Sequence, residues 1–144
     1  MRSLLDVNFL IALFDEDHLF HPRAMAWFAV YKDEGWASCP MTQNSVVRIN
    51  SSLQYTGFDP FTVAKSILQL QKLIDATNHQ FWPDDISLLD DSLFAHDRIL
   101  GPKQVTDIYL LALAAKNNGR LVTFDEHIAT SSVKKARADN LVLV

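Results

Sequence analysis

Three aspartates of this sequence stand where they could do chemistry together. Asp6 and Asp125 each follow a short apolar run that is typical of a buried strand, and Asp107 falls in the first turn of a strongly helical segment. In an open parallel sheet, ligands bind beyond the carboxyl ends of the strands. The three side chains could therefore share one crevice. The short turn Cys39–Gln43, where a second strand meets a helix, is the other candidate position at that edge.

Carboxylates gathered in one cleft repel one another, and without a counter-charge the pKa of at least one of them would rise strongly. A hard divalent cation such as Mg²⁺ or Mn²⁺ usually resolves this, because it prefers oxygen ligands. A cation with open coordination positions can polarise a phosphate oxygen and activate water, which is the chemistry of phosphodiester hydrolysis. Each aspartate also has a structural explanation, since Asp is a preferred N-cap and is favoured near a helix N-terminus. Spacing alone leaves both interpretations open.

The elements that must position these residues follow from hydrophobic periodicity and from the placement of Pro and Gly. Short strands are predicted at residues 4–5, 36–39, 80–82, 120–124 and 141–144. Helices are predicted from Asp6 or Asn8 to Phe14, from Pro22 to Gly35, from Thr42 to about Leu53, from Asp59–Pro60 to about Ala76, over Leu88–Arg98, and, with Thr106 as the cap, over Asp107–Asn118 up to Gly119. Short strands alternating with helices favour a parallel sheet covered on both faces. We therefore expect an α/β three-layer fold.

Composition limits the other possibilities. A chain of 144 residues with 49% hydrophobic and 21% charged residues is the size of one domain, which we place over residues 1–144. The formal net charge of −4 means that any nucleic-acid binding must come from a local patch. The lone Cys39 excludes a disulfide framework within the chain. The apolar N-terminus is interrupted by Asp6 and Asn8 and lacks a cleavage site, so a cytoplasmic protein with no membrane span is expected.

Three segments of the chain carry a family resemblance: LLDVNFLIALFD, WASCPMTQNSVVRI and VTDIYLLALAAKNNGRLVTFDEHIA. They resemble the PIN domains of VapC toxins, the ribonucleases of type II toxin–antitoxin pairs. The likeness runs over nearly the whole chain, and the last block is its most specific part. The resemblance implies a PIN fold, endoribonuclease activity that depends on Mg²⁺ (or Mn²⁺), a cognate antitoxin that occludes the site, and usually a homodimer.

The resemblance also assigns roles by position. The acidic cluster of the family, which would bind the metal, is matched by Asp6, Asp107 and Asp125. The polar residues that support such a cluster are matched by Asn8, Thr42 and Thr123, of which Thr42 corresponds to the Ser or Thr that opens the third helix.

One departure from the family pattern falls inside the expected site. Relatives typically have Glu after the Thr at this point, whereas this chain has Gln43. Gln has nearly the same shape and could offer a carbonyl oxygen, but it cannot contribute an anion or act as a general base. Three explanations stay open: catalysis with three aspartates, a weakened or inactive PIN-like module that binds RNA or protein, or a substitution introduced to disarm a toxic protein.

Several other residues are candidates for binding RNA or a protein partner. Four cations could steer an RNA backbone, although a charged surface explains them equally well: Arg48, Lys103, Lys134 and Lys135. The aromatic stripe Trp27, Phe28 and Tyr31 could dock an antitoxin segment, but packing in the core is the favoured interpretation. A phosphate-accepting signalling domain ranks low because Val7, not a second acid, follows Asp6. A dinucleotide-binding fold ranks lower, because no G-x-G-x-x-G follows the first strand.

Overall fold

Five short strands form one parallel sheet at the centre of the molecule. The computed structural model describes residues 1–52 and 62–144. The strands are β1 (Ser3–Leu5), β2 (Trp36–Ser38), β3 (His79–Phe81), β4 (Arg120–Thr123) and β5 (Leu141–Leu143). Their order across the sheet is β3-β2-β1-β4-β5, and every neighbouring pair is parallel. The carboxyl ends of all five strands therefore lie at one edge, with β1 in the middle.

Helices cover both faces of this sheet. Those in the described residues are α1 (Val7–Phe14), α2 (His21–Tyr31), α3 (Pro40–Asn50), α4 (Val63–Ala76) and α5 (Val105–Lys116). Leu5 packs with the apolar side chains of α1 to α4, whereas its neighbour Leu4 packs with those of α5. Successive strand residues point to opposite faces, so β1 is buried on both sides. The predicted α/β three-layer fold is confirmed. Among the described residues, no helix has the length and apolar character needed to cross a membrane.

The end of α5 shows how closely the layers approach one another. Asn118 adopts the left-handed conformation at φ 54°, and the Gly119 N–H donates to the Ala114 carbonyl at 2.8 Å. A Cβ on Gly119 would lie 2.7 Å from the Arg2 carbonyl oxygen and 2.6 Å from the Trp82 ring. Gly119 thus closes the helix as predicted. Close packing is what requires glycine there, and Asn118 makes the left-handed turn.

The predicted helix over Leu88–Arg98 is wrong. This segment contains turns and a single turn of 3₁₀ helix at His96–Arg98. Its backbone instead bonds to a distant part of the chain: the Ala95 N–H donates to the Ser132 carbonyl, and the Lys134 N–H donates to the Leu93 carbonyl. These long-range bonds use groups that a helix would have paired internally, so tertiary structure overrides a weak local preference.

Two predicted helix starts are also corrected. Cys39 is the N-cap of α3 and Pro40 its first residue, so Thr42 lies inside the first turn. Proline fixes φ near the helical value and needs no hydrogen-bond acceptor, which explains the earlier start. Helix α5 begins at Val105, directly after a 3₁₀ turn at Pro102–Gln104, so Thr106 is likewise inside the helix.

The predicted helix to Ala76 is present as α4, with Thr62 as its N-cap. The predicted start at Asp59–Pro60 lies outside the described residues, as does Leu53, near which the preceding helix was predicted to end.

Candidate active site

Asp6 lies at the carboxyl end of the central strand and is 2% exposed. Its backbone N–H donates to the Val122 carbonyl at 3.0 Å, which extends the pairing of β1 with β4 by one residue. Its Oδ1 accepts from the Val7 N–H at 2.7 Å, so Asp6 is also the N-cap of α1. Burial raises the pKa of Asp6, while hydrogen bonds from Thr123 and Val7 act in the opposite direction. The first residue of α1 therefore holds the Asp6 side chain in place.

Thr123 links Asp6 to Asp125. The Thr123 hydroxyl donates to Asp6 Oδ2 at 2.7 Å. The oxygen of that hydroxyl, Oγ1, also accepts a hydrogen bond from the Asp125 N–H at 3.1 Å. Asp125 in turn accepts from the His127 N–H through Oδ1 at 2.8 Å, which shapes the turn after β4. Thr123 is fully buried and Asp125 is half-buried. One hydroxyl therefore fixes two candidate ligands relative to each other.

Asp107 reaches the same edge from α5. The side chain of Gln104, at the start of this helix, accepts from the Leu100 N–H at 3.2 Å and donates to the His127 carbonyl at 3.3 Å. This holds the N-terminus of α5 against the turn that carries Asp125. Asp107 lies in the first turn, where the helix dipole favours a negative charge.

The electrostatics show that the three aspartates share one environment. The pKa of Asp107 is raised to about 7, first by burial and then by the charges of Asp6 and Asp125. The protonated Asp107 carboxyl can also share a hydrogen bond with Asp125, which raises its pKa further. The structure thus places within electrostatic range of one another the three acids that the sequence predicted at strand and helix ends.

Gln43, on the first turns of α3, bonds away from these acids. Its Nε2 donates to Ser38 Oγ at 2.9 Å, and Ser38 Oγ is 2.8 Å from His79 Nε2. Burial, followed by the positive charge of Arg2, lowers the pKa of His79 to about 4, so its ring is neutral at pH 7. The Gln43 side chain is therefore held by Ser38, the last residue of β2, which also contacts His79, the first residue of β3.

Other predicted site residues occupy different surroundings. Thr42 is fully buried and its hydroxyl pairs with both the backbone N–H and the carbonyl of Cys39, at 3.0 and 3.1 Å. Asn8 lies exposed on the first turn of α1. Burial raises the pKa of the Cys39 thiol to about 11, which fits a structural thiol and not a nucleophile.

The four candidate RNA-binding cations are all exposed but do not lie together. Lys103 precedes α5, close to Asp107 in the chain, and Arg48 lies on the last turn of α3. Lys134 and Lys135 follow the segment that packs along α5. Lys135 lines a small depression with Lys116, the last residue of α5. It therefore lies near the opposite end of that helix from Asp107, a separation of about 14 Å along the axis.

An apolar groove opens beside Gln43, between α3 and α4. Its volume is about 580 Å³, and its walls include Val47, Ile67 and Ile74. Val63 and Ile67 are 56% and 52% exposed.

The aromatic stripe on α2 is covered, in contrast to this groove. Phe28 is buried, and Trp27 and Tyr31 are half-buried under the guanidinium of Arg120.

The donor set fits a hard divalent cation in its chemistry. Asp6, Asp107 and Asp125 supply only carboxylate oxygens, and their mutual repulsion is what a bound cation would relieve. Within residues 1–52 and 62–144, no three His, Cys, Asp or Glu side chains stand close enough together to bind one ion. Both oxygens of Asp6 are turned toward Val7 and Thr123. Metal binding would therefore require Asp107 to ionise and the carboxylates to turn toward one another.

Sequence reasoning missed Ser38 and His79. Ser38 ends a strand of ordinary buried residues, and His79 stands alone in the sequence, 36 positions from Gln43. No local pattern signals their contact, because only the parallel pairing of β2 with β3 brings them together. A hydroxyl at the carboxyl end of a strand is the one signal that could have drawn attention to Ser38.

A central parallel sheet with acids gathered at its carboxyl edge is the architecture of a nuclease-type α/β domain. The model of the PIN domain family matches residues 3–132, and the chain belongs to this family. Within it, the chain is similar to named ribonucleases of Mycobacterium tuberculosis. Ribonuclease VapC44 of strain CDC 1551 / Oshkosh is 46% identical over 141 residues, which cover 98% of each chain.

Ribonuclease VapC39 of the same strain is 42% identical over 132 residues, which cover 92% of this chain and 94% of the relative. Ribonuclease VapC38 of strain ATCC 25618 / H37Rv is 36% identical over 135 residues, covering 94% and 93%. The resemblance seen in the sequence is thereby confirmed over nearly the full length.

Proposed function

We propose that this chain is a metal-dependent endoribonuclease and the toxin of a type II toxin–antitoxin pair. The observation that carries the proposal is the Thr123 hydroxyl, which joins Asp6 to the Asp125 turn at the edge that α5 reaches with Asp107. Membership of the PIN family and similarity to VapC ribonucleases over 98% of the chain support the same function. The substrate is the phosphodiester backbone of RNA.

Asp6, Asp107 and Asp125 would hold Mg²⁺ (or Mn²⁺), since all three offer carboxylate oxygens. When bound, such a cation supplies polarisation of a phosphate oxygen and activation of a water molecule. Thr123 favours the ionised form of Asp6 through its hydrogen bond. Because the pKa of Asp107 is raised to about 7, this carboxyl must lose its proton before all three aspartates can be anionic. Gln43 contributes an uncharged amide.

The proposal is tested by incubating the purified protein with RNA and Mg²⁺ or Mn²⁺. We expect cleavage that EDTA and Asp6→Asn both abolish. Asn is as good an N-cap as Asp, so Asp6→Asn should retain the fold while removing the anion. The control is Asp139→Asn, an exposed aspartate paired with Arg137 on the surface. Cleavage that persists in EDTA, or in the Asp6→Asn protein, would refute the metal mechanism.

The alternative is a PIN-like module whose catalysis is weak or lost, and Gln43 is the feature that favours it. The Gln43 amide donates to Ser38 and adds no charge to the acidic cluster. If the unchanged protein binds RNA without cutting it and Gln43→Glu restores cleavage, the alternative is correct. If the unchanged protein cuts RNA in Mg²⁺ and fails in EDTA, three aspartates suffice.

A cognate antitoxin is the proposed protein partner. The apolar groove between α3 and α4 runs beside Gln43, so a segment lying in it would also approach the catalytic edge. Val63 and Ile67 expose apolar surface there that a partner helix or strand could bury. We also propose that the chain forms a homodimer and acts in the cytoplasm.

A further inference from the structure

We propose that Ser38 and His79 are positioning residues for Gln43, and that their hydrogen-bond chain is built to receive a donor at this position. The catalytic consequence rests on the proposed function, whereas the hydrogen-bond chain itself can be tested without it. The proposal concerns the direction of each bond along Gln43, Ser38 and His79.

The three side chains are rigidly placed. Ser38 is the last residue of β2 and fully buried, and His79 is the first residue of the neighbouring strand β3. The His79 ring packs edge-on against Trp36, with ring centroids 4.4 Å apart. Trp36 is itself fixed, because its Nε1 donates to Thr77 Oγ1 at 2.8 Å. The histidine therefore has little freedom to leave Ser38.

The direction of the bonds follows from the number of protons available. Gln43 Nε2 donates to Ser38 Oγ at 2.9 Å, so the serine oxygen acts as an acceptor in that bond. We assign the single hydroxyl proton of Ser38 to the bond with His79 Nε2, 2.8 Å away, so that Nε2 is the acceptor. The His79 ring proton then resides on Nδ1. The low pKa of His79, about 4 through burial and then the Arg2 charge, keeps the ring neutral at pH 7, so that one of its two nitrogens can accept a hydrogen bond.

A glutamate at position 43 would reverse the direction of this hydrogen-bond chain. It has no proton to donate, so it would compete with His79 for the single proton of Ser38. The Ser38 hydroxyl would then donate to the Glu carboxylate. His79 could remain hydrogen-bonded to the Ser38 oxygen only if its ring proton moved to Nε2. An amide at position 43 therefore goes with the Nδ1–H form of His79, and a carboxylate would go with the Nε2–H form.

The first test reads the hydrogen bonds directly by NMR. In the unchanged protein we expect ¹⁵N shifts of His79 that report the Nδ1–H form. We expect Gln43→Glu to convert it to the Nε2–H form. Ser38→Ala should shift the side-chain amide signals of Gln43 and leave those of Gln71 unchanged, because Gln71 bonds to Asp75 on α4. An Nε2–H form in the unchanged protein, or Gln43 signals that ignore Ser38→Ala, would overturn the proposal.

The second test reads positioning through RNA cleavage. Ser38→Ala should lower kcat about 5- to 10-fold with little change in KM, as expected for loss of one orienting hydrogen bond. In the Gln43→Ala background the same change should have no further effect, because the residue to be positioned is gone. Ser3→Ala is the matched control, since Ser3 is a buried serine of β1 that bonds to Arg120.

The two tests separate the possible failures. If the NMR results are as expected and the protein cuts no RNA, the hydrogen-bond chain stands and the proposed function fails. If RNA is cut and Ser38→Ala cuts it as fast as the unchanged protein, the positioning role is refuted. Additive losses in the double variant would also refute it, because they would mean that Ser38 acts independently of Gln43.

Discussion

Asp6 combines two roles that are often treated as alternatives. One oxygen caps α1 through the Val7 N–H, and the other receives the Thr123 hydroxyl, so the helix cap fixes the carboxylate that a cation would use. A carboxylate oxygen has more than one lone pair, so a capping bond does not prevent metal ligation. The structural explanation for a lone aspartate and the catalytic one therefore support each other here.

At the residue scale, Thr123→Val should weaken catalysis while the fold persists. Valine has nearly the same shape, but it leaves Asp6 Oδ2 without its buried partner and raises the pKa of Asp6 further. We expect kcat to fall about 10-fold or more, since a hydrogen bond to a charged group contributes about 1.5 kcal/mol or more. Steady-state cleavage measures this. Thr123→Ser should recover most of the loss, and equal losses in both variants would contradict the role of the hydroxyl.

Asp107 makes the stability of the metal-free protein depend on pH. Its pKa is about 7 in the folded state, raised by burial and then by Asp6 and Asp125, against the ordinary value of 3.8 for an aspartate. An acid with a raised folded pKa stabilises the fold fully below its unfolded pKa, and that contribution is lost as pH rises toward the folded value. Between about pH 4 and pH 7, the metal-free protein should therefore become less stable.

The measurement is thermal unfolding in EDTA at a series of pH values. Asp107→Asn should melt at a higher temperature than the unchanged protein at pH 8, and this advantage should disappear near pH 4. Asp139→Asn, on the surface, is the control. If Asp107→Asn and the unchanged protein differ in melting temperature by the same amount at pH 4 and at pH 8, the raised pKa of Asp107 is contradicted.

At the scale of elements, helix α5 separates cations that look equivalent in the sequence. Its first turn carries Asp107, and Gln104 ties that end to the turn after β4. Lys103 precedes this end, whereas Lys135 lies near Lys116 at the other. A strand of RNA crossing the acidic edge would therefore pass Lys103 before it could reach Lys135.

Lys103→Ala should consequently weaken RNA binding more than Lys135→Ala does. Binding is measured by fluorescence anisotropy with a short single-stranded RNA in EDTA, so that cleavage does not interfere. Loss of one phosphate contact should reduce the slope of log affinity against log salt by about 0.7. If both substitutions weaken RNA binding equally, the two lysines contribute only to the general electrostatic attraction of RNA.

At the scale of the whole molecule, the groove between α3 and α4 is an apolar surface next to the catalytic edge. Ile67→Asp should weaken binding of the cognate antitoxin about 10-fold or more, because a charge placed in an apolar contact must be desolvated. RNA cleavage by the free protein should be unchanged. Leu89→Asp is the control, since Leu89 is 87% exposed and lies in the loop after β3. The binding is measured by calorimetry, and equal affinities for both variants would exclude this groove.

The proposed homodimer is also a property of the whole molecule. Sedimentation equilibrium of the antitoxin-free protein should give twice the chain mass of 16.3 kDa if the proposed homodimer forms. A mass that stays at the single-chain value at micromolar concentration would contradict it. The cleavage assay at the same concentrations then reports the activity of whichever form is present.

Local signals were enough to locate much of the fold and of the site. Apolar runs ending in Asp6 and Asp125 marked two strand ends, and a run of helix-forming residues with a terminal glycine marked α5. Alternation of short strands with helices indicated the three-layer arrangement. These features depend on neighbours within a few residues, so the sequence alone could determine them.

The tertiary structure decided the contacts between residues far apart in the chain. It joined Thr123 to Asp6, and Gln43 through Ser38 to His79. It also paired the segment around Phe94 with Val133 where a helix had been predicted. The physical reason is that strand order and layer packing set which distant groups meet. Hydrogen bonds formed there outweigh local preferences of a few tenths of a kcal/mol.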